Sequence, residues 1–331
     1  MKTAPLLDEI YAPIQAPLKA VPAQISGLLE SANPLISEIS EHFFRAQGKM
    51  LRPAMTLLGA TLVKPAEIAE NYPNLVKLAA AFEIFHAATL IHDDIIDRAE
   101  LRRGLPSVNE KWGASIAVLA GDFFHDRALV TIFENAPVEV MRLFLKTAGV
   151  VCDGEIHELR RVRFYDLTEA EYLEIIYKKT ASLLACVLEA GARTVGASEV
   201  EARALAEFGR HFGNAFQMID DCLDFTANQA EFGKTLGTDL AAGVLTLPLI
   251  YLLKKRPDLK TQVIQLIEQS ASPERLNELK GLIFENGALE YAFQRAREST
   301  ELSLQALSLF SDSPAKQSLE KLAGYILERT K

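Results

Sequence analysis

The sequence predicts an all-α protein, a large helical bundle. Three observations predict it. Apolar residues recur at helical intervals, as at Leu173, Ile176, Tyr177, Leu183, Leu184, Val187 and Leu188. Helix-start signals recur as well. Thr168 with Glu171 and Ser198 with Glu201 have capping-box spacing, while Ser272-Pro273 and Ser313-Pro314 set a cap residue before a first-turn proline. No stretch shows sustained period-two alternation, so about ten or more helices are expected.

The elements follow in chain order. The opening MKTAPLLDEIYAPIQ carries Asp8 and Glu9 and no long apolar core, unlike a signal peptide. The stretch GKMLRP, 48 to 53, precedes an apolar helix. Residues 74 to 92 and 205 to 223 are apolar nearly all round, which places both helices in the middle of a bundle. The segments 98 to 109 and 226 to 239 read as loops, and Asn286-Gly287 reads as a helix end. One long helix should open at Thr168 and another should run from Ser198 to about Phe225. No linker divides the chain, so residues 1–331 are expected to form one domain.

Composition narrows the function. With 331 residues, 49% of them hydrophobic, a large core can be built. A net charge of −9 argues against a nucleic-acid binder. Cys152, Cys186 and Cys222 are isolated, which points to neither a zinc site nor a disulfide framework and favours a reducing, cytoplasmic setting. The most hydrophobic run, 241 to 253, contains Pro248 and falls short of the ~20 residues that cross a bilayer. No transmembrane segment is expected.

The chemistry lies in two stretches. LIHDDIIDRAELRRG, 90 to 104, sets Asp93, Asp94 and Asp97 among isoleucines, and QMIDDCLDF, 217 to 225, repeats the spacing at Asp220, Asp221 and Asp224. Aspartate is seldom buried without a partner. Residues four apart share a helix face, so Asp93 and Asp97 point one way, as do Asp220 and Asp224. Each motif ends an apolar helix, where the helix dipole disfavours negative charge. A cation resolves that conflict, and oxygen-only donors suit Mg2+. One such motif among 44 acidic residues could be accidental; two copies on apolar helices are hard to dismiss. Lys49, Arg52, Arg102, Arg103, Lys178, Lys179 and Lys234 add cations of the kind that hold phosphates, although each alone reads as a solvated charge.

The order GKMLRP, DDIID with RR after it, KT, FQMIDDCLD, GK and GTDL resembles the trans-type isoprenyl diphosphate synthases, or polyprenyl synthetases, from about residue 40 to the end. The resemblance implies an isoprenoid-synthase bundle around a deep central cavity, usually a homodimer. It implies head-to-tail condensation of isopentenyl diphosphate onto an allylic diphosphate, with three Mg2+ between the aspartate motifs. Asp93, Asp97 and Asp220 would be the main ligands, and Asp94 and Asp224 would support them. Arg102, Lys179 and Lys234 would hold the allylic diphosphate, and Lys49, Arg52, His86 and Arg103 the isopentenyl diphosphate. Thr180 and Gln217 would line the region where positive charge develops. For His86 alone, a hydrogen-bonded core histidine is the ordinary reading; its place before Asp93 matches the family instead.

In the family, a bulky aromatic four or five residues before the first aspartate stops chain growth. Thr89 and Ala88 stand there and are small, which leaves Phe85, about one ~5.4 Å turn deeper, as the next floor. A Phe85 turned into the tunnel implies a geranylgeranyl or geranylfarnesyl product. A Phe85 packed among helices implies a linear all-trans product of roughly six or more isoprene units, the favoured reading. Such a product suits peripheral membrane contact at release. The chain departs from the family at Gln47 (usually glycine), Met50 (arginine), Glu158 (glutamine) and Val244 (lysine). Two other readings compete. A noncatalytic partner of a prenyl synthase usually lacks aspartates that this chain keeps. A terpene cyclase shares the fold but has no use for Lys49, Arg52 and His86.

Overall fold

A computed structural model describes residues 3–46, 48–65, 68–226, 243–269 and 272–328. Gln47 and Lys234 lie outside these residues, as does most of the predicted 226–239 loop. The described chain is almost wholly helical. Its α-helices are α1 (Thr3–Ile10), α2 (Gln15–Leu28), α3 (Pro34–Arg45), α4 (Leu51–Val63), α5 (Ile68–Ile96), α6 (Val108–Trp112), α7 (Ala114–Asn135), α8 (Val138–Arg161), α9 (Glu169–Ile176), α10 (Ser182–Thr194) and α11 (Glu199–Thr226). After the undescribed stretch come α12 (Leu247–Lys255), α13 (Lys260–Glu268), α14 (Pro273–Glu285), α15 (Ala288–Ala306) and α16 (Pro314–Glu328).

The residues group into two compact units, each assembled from segments separated in sequence. The first holds residues 1–145, 186–206 and 307–321. Its centre is α5, which packs against α2, α4 and α7. The rings of Phe82, Phe124 and Phe144 are fully buried in it. A stretch of α5, Tyr72–Ile96, is long and apolar enough to cross a membrane, and exceeds the 241–253 run. Two-thirds of its most apolar window is buried, as expected of a core helix. Small residues let α4 approach the start of the 186–206 segment. A Cβ on Gly59 would sit 2.5 Å from the Leu188 carbonyl oxygen, and one on Gly191 would sit 2.0 Å from that of Thr56.

The second unit holds residues 146–185, 207–306 and 322–331. The Phe208, Phe212 and Phe216 rings stack along α11 at centroid spacings of 5.7 and 6.4 Å.

The predicted caps at Thr168 and Ser198 form, each hydroxyl accepting from a glutamate backbone N–H three residues on. Ser313 accepts from Lys316 N in the same way. Ser272 precedes Pro273 as expected, but its hydroxyl donates to Glu274 and caps nothing. Two expectations need correction. The 98–109 segment is not all loop: it forms a two-strand hairpin, Leu101–Arg102 against Leu105–Pro106, and begins α6. The helix opening at Thr168 is not continuous, because Tyr177–Ala181 widens into one π-helical turn between α9 and α10. Apolar periodicity continues through such a turn, so spacing alone does not reveal it.

Candidate active site

The first aspartate motif closes α5. The helix ends in a Schellman arrangement: Arg98 takes φ +52°, Ala99 N donates to the Asp94 carbonyl at 2.9 Å, and Arg98 N donates to that of Ile95 at 3.3 Å. Asp93 is half-buried and Asp97 exposed, one turn apart. Asp94 is 1% exposed. The hairpin brings Arg102 back onto it, with Nε donating to Oδ2 and Nη2 to Oδ1, both at 2.6 Å. That return depends on Arg103 and Gly104, whose φ of +51° and +77° supply the two left-handed positions of a tight hairpin. Asp94, expected as a supporting metal ligand, and Arg102, expected on the allylic diphosphate, are thus bound to each other.

The basic residues of GKMLRP sit in the same unit. Met50 adopts φ +49° and starts α4, which carries Arg52. The Tyr11 hydroxyl donates to the Lys49 carbonyl at 3.1 Å and fixes the preceding loop. Arg103 donates through Nη1 to the Ala46 carbonyl at 2.9 Å and lies over Gly48, where a Cβ would meet its guanidinium at 2.9 Å. Buried Glu83 on α5 is the counter-charge of this cluster. Burial pushes its carboxyl up, while Arg52 and Arg103 oppose that shift. Burial lowers Arg52 to about 10 against the pull of Glu83. His86, one turn beyond Glu83, is held well below its usual range by burial first, then by Arg52, Arg103 and Arg102. It is a neutral imidazole at pH 7, able to donate one hydrogen bond without adding charge.

The second motif closes the described part of α11 and repeats the division. Asp220 and Asp224 are half-buried, whereas Asp221 is 4% exposed. Asp221 accepts from the Tyr172 hydroxyl at 2.6 Å and from Gln217 Nε2 at 2.9 Å. Thr180 Oγ1 donates to Gln217 Oε1 at 2.8 Å. The π turn presents Thr180, and Gly213 lets the turn approach: a Cβ there would lie 2.4 Å from the Ala181 Cα. Lys179, on the same turn, binds Glu155 at 2.9 Å and Glu158. Burial works against its charge, but the two glutamates outweigh burial and raise its pKa. In both motifs the inner aspartate is tied to protein and the outer pair stays partly exposed. Each outer pair is an oxygen-only donor set of the kind that suits Mg2+.

The polyprenyl synthetase family profile matches residues 33–283. The chain belongs to the polyprenyl synthetase family. It is a prenyltransferase with the all-α fold of that family. The chain is 32% identical to an octaprenyl diphosphate synthase of Haemophilus influenzae over 98% of its own length and 97% of the relative's. It is 35% identical to an all-trans-nonaprenyl-diphosphate synthase (geranyl-diphosphate specific) of Rhodobacter capsulatus, over 97% and 98% of the two chains. A crystal structure of a polyprenyl synthase from Caulobacter crescentus CB15, complexed with calcium and isoprenyl diphosphate, superposes with a TM-score of 0.90 at 32% identity, covering 98% of each chain.

Within this polyprenyl synthetase, the partly accessible face of α5 runs through His86, Thr89, Leu90, Asp93 and Asp97. Thr89 donates to the His86 carbonyl at 2.9 Å. Ala88 is only 2% exposed, so it lies on the packed side. Phe85 packs among helices, its ring 5.0 Å from Phe144 and 5.8 Å from His125. Val244 is half-buried. Sequence reasoning missed Glu83 and Tyr172. Glu83 stands three residues before His86 on an apolar helix, and that unexplained charge was the available signal. Tyr172 reads as one more apolar member of a helix face and gives none.

Proposed function

We propose that this prenyltransferase condenses isopentenyl diphosphate head to tail onto an allylic diphosphate in an Mg2+-dependent reaction. The product is a linear all-trans polyprenyl diphosphate of roughly six or more isoprene units. One observation carries the reading: two aspartate motifs close the described parts of α5 and α11, each with an anchored inner carboxylate and a partly exposed outer pair.

Asp93, Asp97, Asp220 and Asp224 would hold the metal, about three ions when loaded. Bound Mg2+ would stabilise negative charge on the leaving diphosphate. Lys179 and Lys234 hold the allylic diphosphate, and Arg102 fixes Asp94. Lys49, Arg52, Arg103 and neutral His86 bind isopentenyl diphosphate. Thr180 and Gln217 turn polar oxygens to the developing allylic cation. The isopentenyl double bond attacks that cation, and the released diphosphate takes the proton. The calcium and isoprenyl diphosphate in the Caulobacter relative support a metal-and-diphosphate site.

Phe85 packed against Phe144 supports the longer product, as do the octaprenyl and nonaprenyl activities of the two relatives. The proposal treats residues 1–331 as one domain that uses both motifs, working as a homodimer. Exposed Leu119, Phe133, Val138 and Leu145 on α7 and α8 support a second copy as partner. A cytoplasmic location with peripheral membrane contact for product release completes the reading, and free thiols at Cys152 and Cys222 fit it.

The test is to incubate purified protein alone with Mg2+, farnesyl diphosphate and labelled isopentenyl diphosphate. Labelled, elongated linear product is expected. No incorporation would favour a noncatalytic subunit, and an unlabelled hydrocarbon would favour a cyclase; either sinks the proposal.

A further inference from the structure

The hydrogen bonds around Gln217 decide which end of its amide faces which neighbour. A carboxylate accepts hydrogen bonds and has none to give, so the side of Gln217 that meets Asp221 must be its NH2 group. The amide oxygen then lies at the opposite end. There it accepts from the Thr180 hydroxyl, whose own oxygen keeps its lone pairs. The arrangement depends on Asp221 staying where it is. Tyr172 secures that by donating to the second carboxylate oxygen, with both residues buried. The tyrosine comes from α9, the threonine from the π turn and the other two residues from α11. Three elements are therefore locked into one chain of donors and acceptors: Tyr172 to Asp221, Gln217 to Asp221, and Thr180 to Gln217.

We propose that Tyr172 and Asp221 are positioning residues that set the polarity of the Gln217 amide, so that the Gln217 and Thr180 oxygens, and not the amide NH2, meet the positive charge formed on the allylic substrate. The inference rests on the prenyl-transfer reading above. Its chemistry is simple. An oxygen lone pair stabilises a nearby carbocation, whereas an N–H pointed at the same place destabilises it. A glutamine free to flip would present either end. The buried Tyr172–Asp221 pair removes that choice before substrate arrives. Neither residue needs to touch the substrate.

The experiment uses two diphosphate probes of allylic shape. One carries a tertiary ammonium where the cation would form, and the other is its uncharged carbon isostere. Dissociation constants for both are measured in the presence of Mg2+ on wild type, Tyr172→Phe and Asp221→Asn, beside melting temperatures and steady-state kinetics. Wild type is expected to favour the ammonium probe. Tyr172→Phe should cut that preference roughly fivefold or more, leaving affinity for the uncharged probe unchanged. It should also lower kcat without raising KM for either diphosphate. Asp221→Asn should reduce the preference further, because an asparagine accepts either end of the glutamine amide. If Asp221→Asn does not fold, Tyr172→Phe alone decides the matter, since it removes one oxygen atom. An unchanged preference in a folded Tyr172→Phe overturns the inference. So does equal binding of the two probes to wild type. If wild type binds neither probe, the prenyl-transfer reading fails and this inference falls with it.

Discussion

Arg102 holds Asp94 by two hydrogen bonds of 2.6 Å, one to each carboxylate oxygen. The carboxylate is buried, and the guanidinium is about one-fifth exposed. This contact closes the hairpin onto the end of α5 and sets the inner aspartate apart from its two neighbours. Removing one partner of such a pair leaves a charge with no counterpart. Asp94→Ala is therefore expected to destabilise the protein by about 2–4 kcal/mol, less than for a wholly buried pair because Arg102 keeps some water. Denaturant unfolding measures this. A loss below about 0.5 kcal/mol would show the pair to be incidental.

The half-buried imidazole of His86 gives a pH dependence. Its folded pKa lies well below the ordinary value because of burial and the nearby arginines. In the unfolded chain it titrates near pH 6.5. Below about pH 6.5 the unfolded state binds a proton that the folded state does not, so stability falls as pH drops. Above that pH both states are neutral at this position and the effect vanishes. The melting temperature should thus fall more steeply from pH 7.5 to 5.5 in wild type than in His86→Gln. Equal slopes would mean that the histidine protonates in the native state as readily as in the unfolded chain.

Chain length should respond to Thr89 and not to Phe85. Thr89 lies on the accessible face of α5, and Thr89→Phe is expected to shorten the product. Ala88→Phe should instead overpack a filled site and cost about 1–3 kcal/mol. Phe85→Ala removes a ring from the contact with Phe144, with an expected loss of about 3–5 kcal/mol and no lengthening. Chromatography of the extracted prenols reads all three. A longer product from Phe85→Ala would identify that ring as the floor of the tunnel.

Lys179 is shared between two glutamates, and one of them stands where the family usually has glutamine. A diphosphate must compete with both. Glu158→Gln removes one competitor and should lower the apparent Michaelis constant for the allylic substrate by roughly fivefold, corresponding to ~1 kcal/mol for a partly screened charge. A raised constant would indicate that Glu158 aligns the lysine instead of restraining it.

How much of this was legible in the sequence depends on the kind of signal. Helix content and the capping boxes at Thr168 and Ser198 follow from local spacing, and the helices formed where that spacing placed them. The four-residue interval put Asp93 with Asp97 and Asp220 with Asp224, because a helix fixes that geometry unaided. The different fate of Asp94 and Asp221 was not legible. It depends on Arg102 returning through a hairpin and on Tyr172 arriving from 49 residues away. The π turn was hidden for a related reason. One extra residue in a helical turn leaves the apolar pattern readable on both sides, and only the positions of Lys179 and Thr180 record it.

The central claim is that the outer carboxylates serve the metal while the inner ones serve the fold. Its most direct measurement pairs turnover with unfolding free energy for Asp93→Ala and Asp220→Ala against Asp94→Ala. The account predicts that the two outer variants keep wild-type stability within about 0.5 kcal/mol and lose nearly all Mg2+-dependent isopentenyl incorporation, while the inner variant loses stability first. Outer variants that unfold, or that retain turnover at wild-type stability, would contradict it.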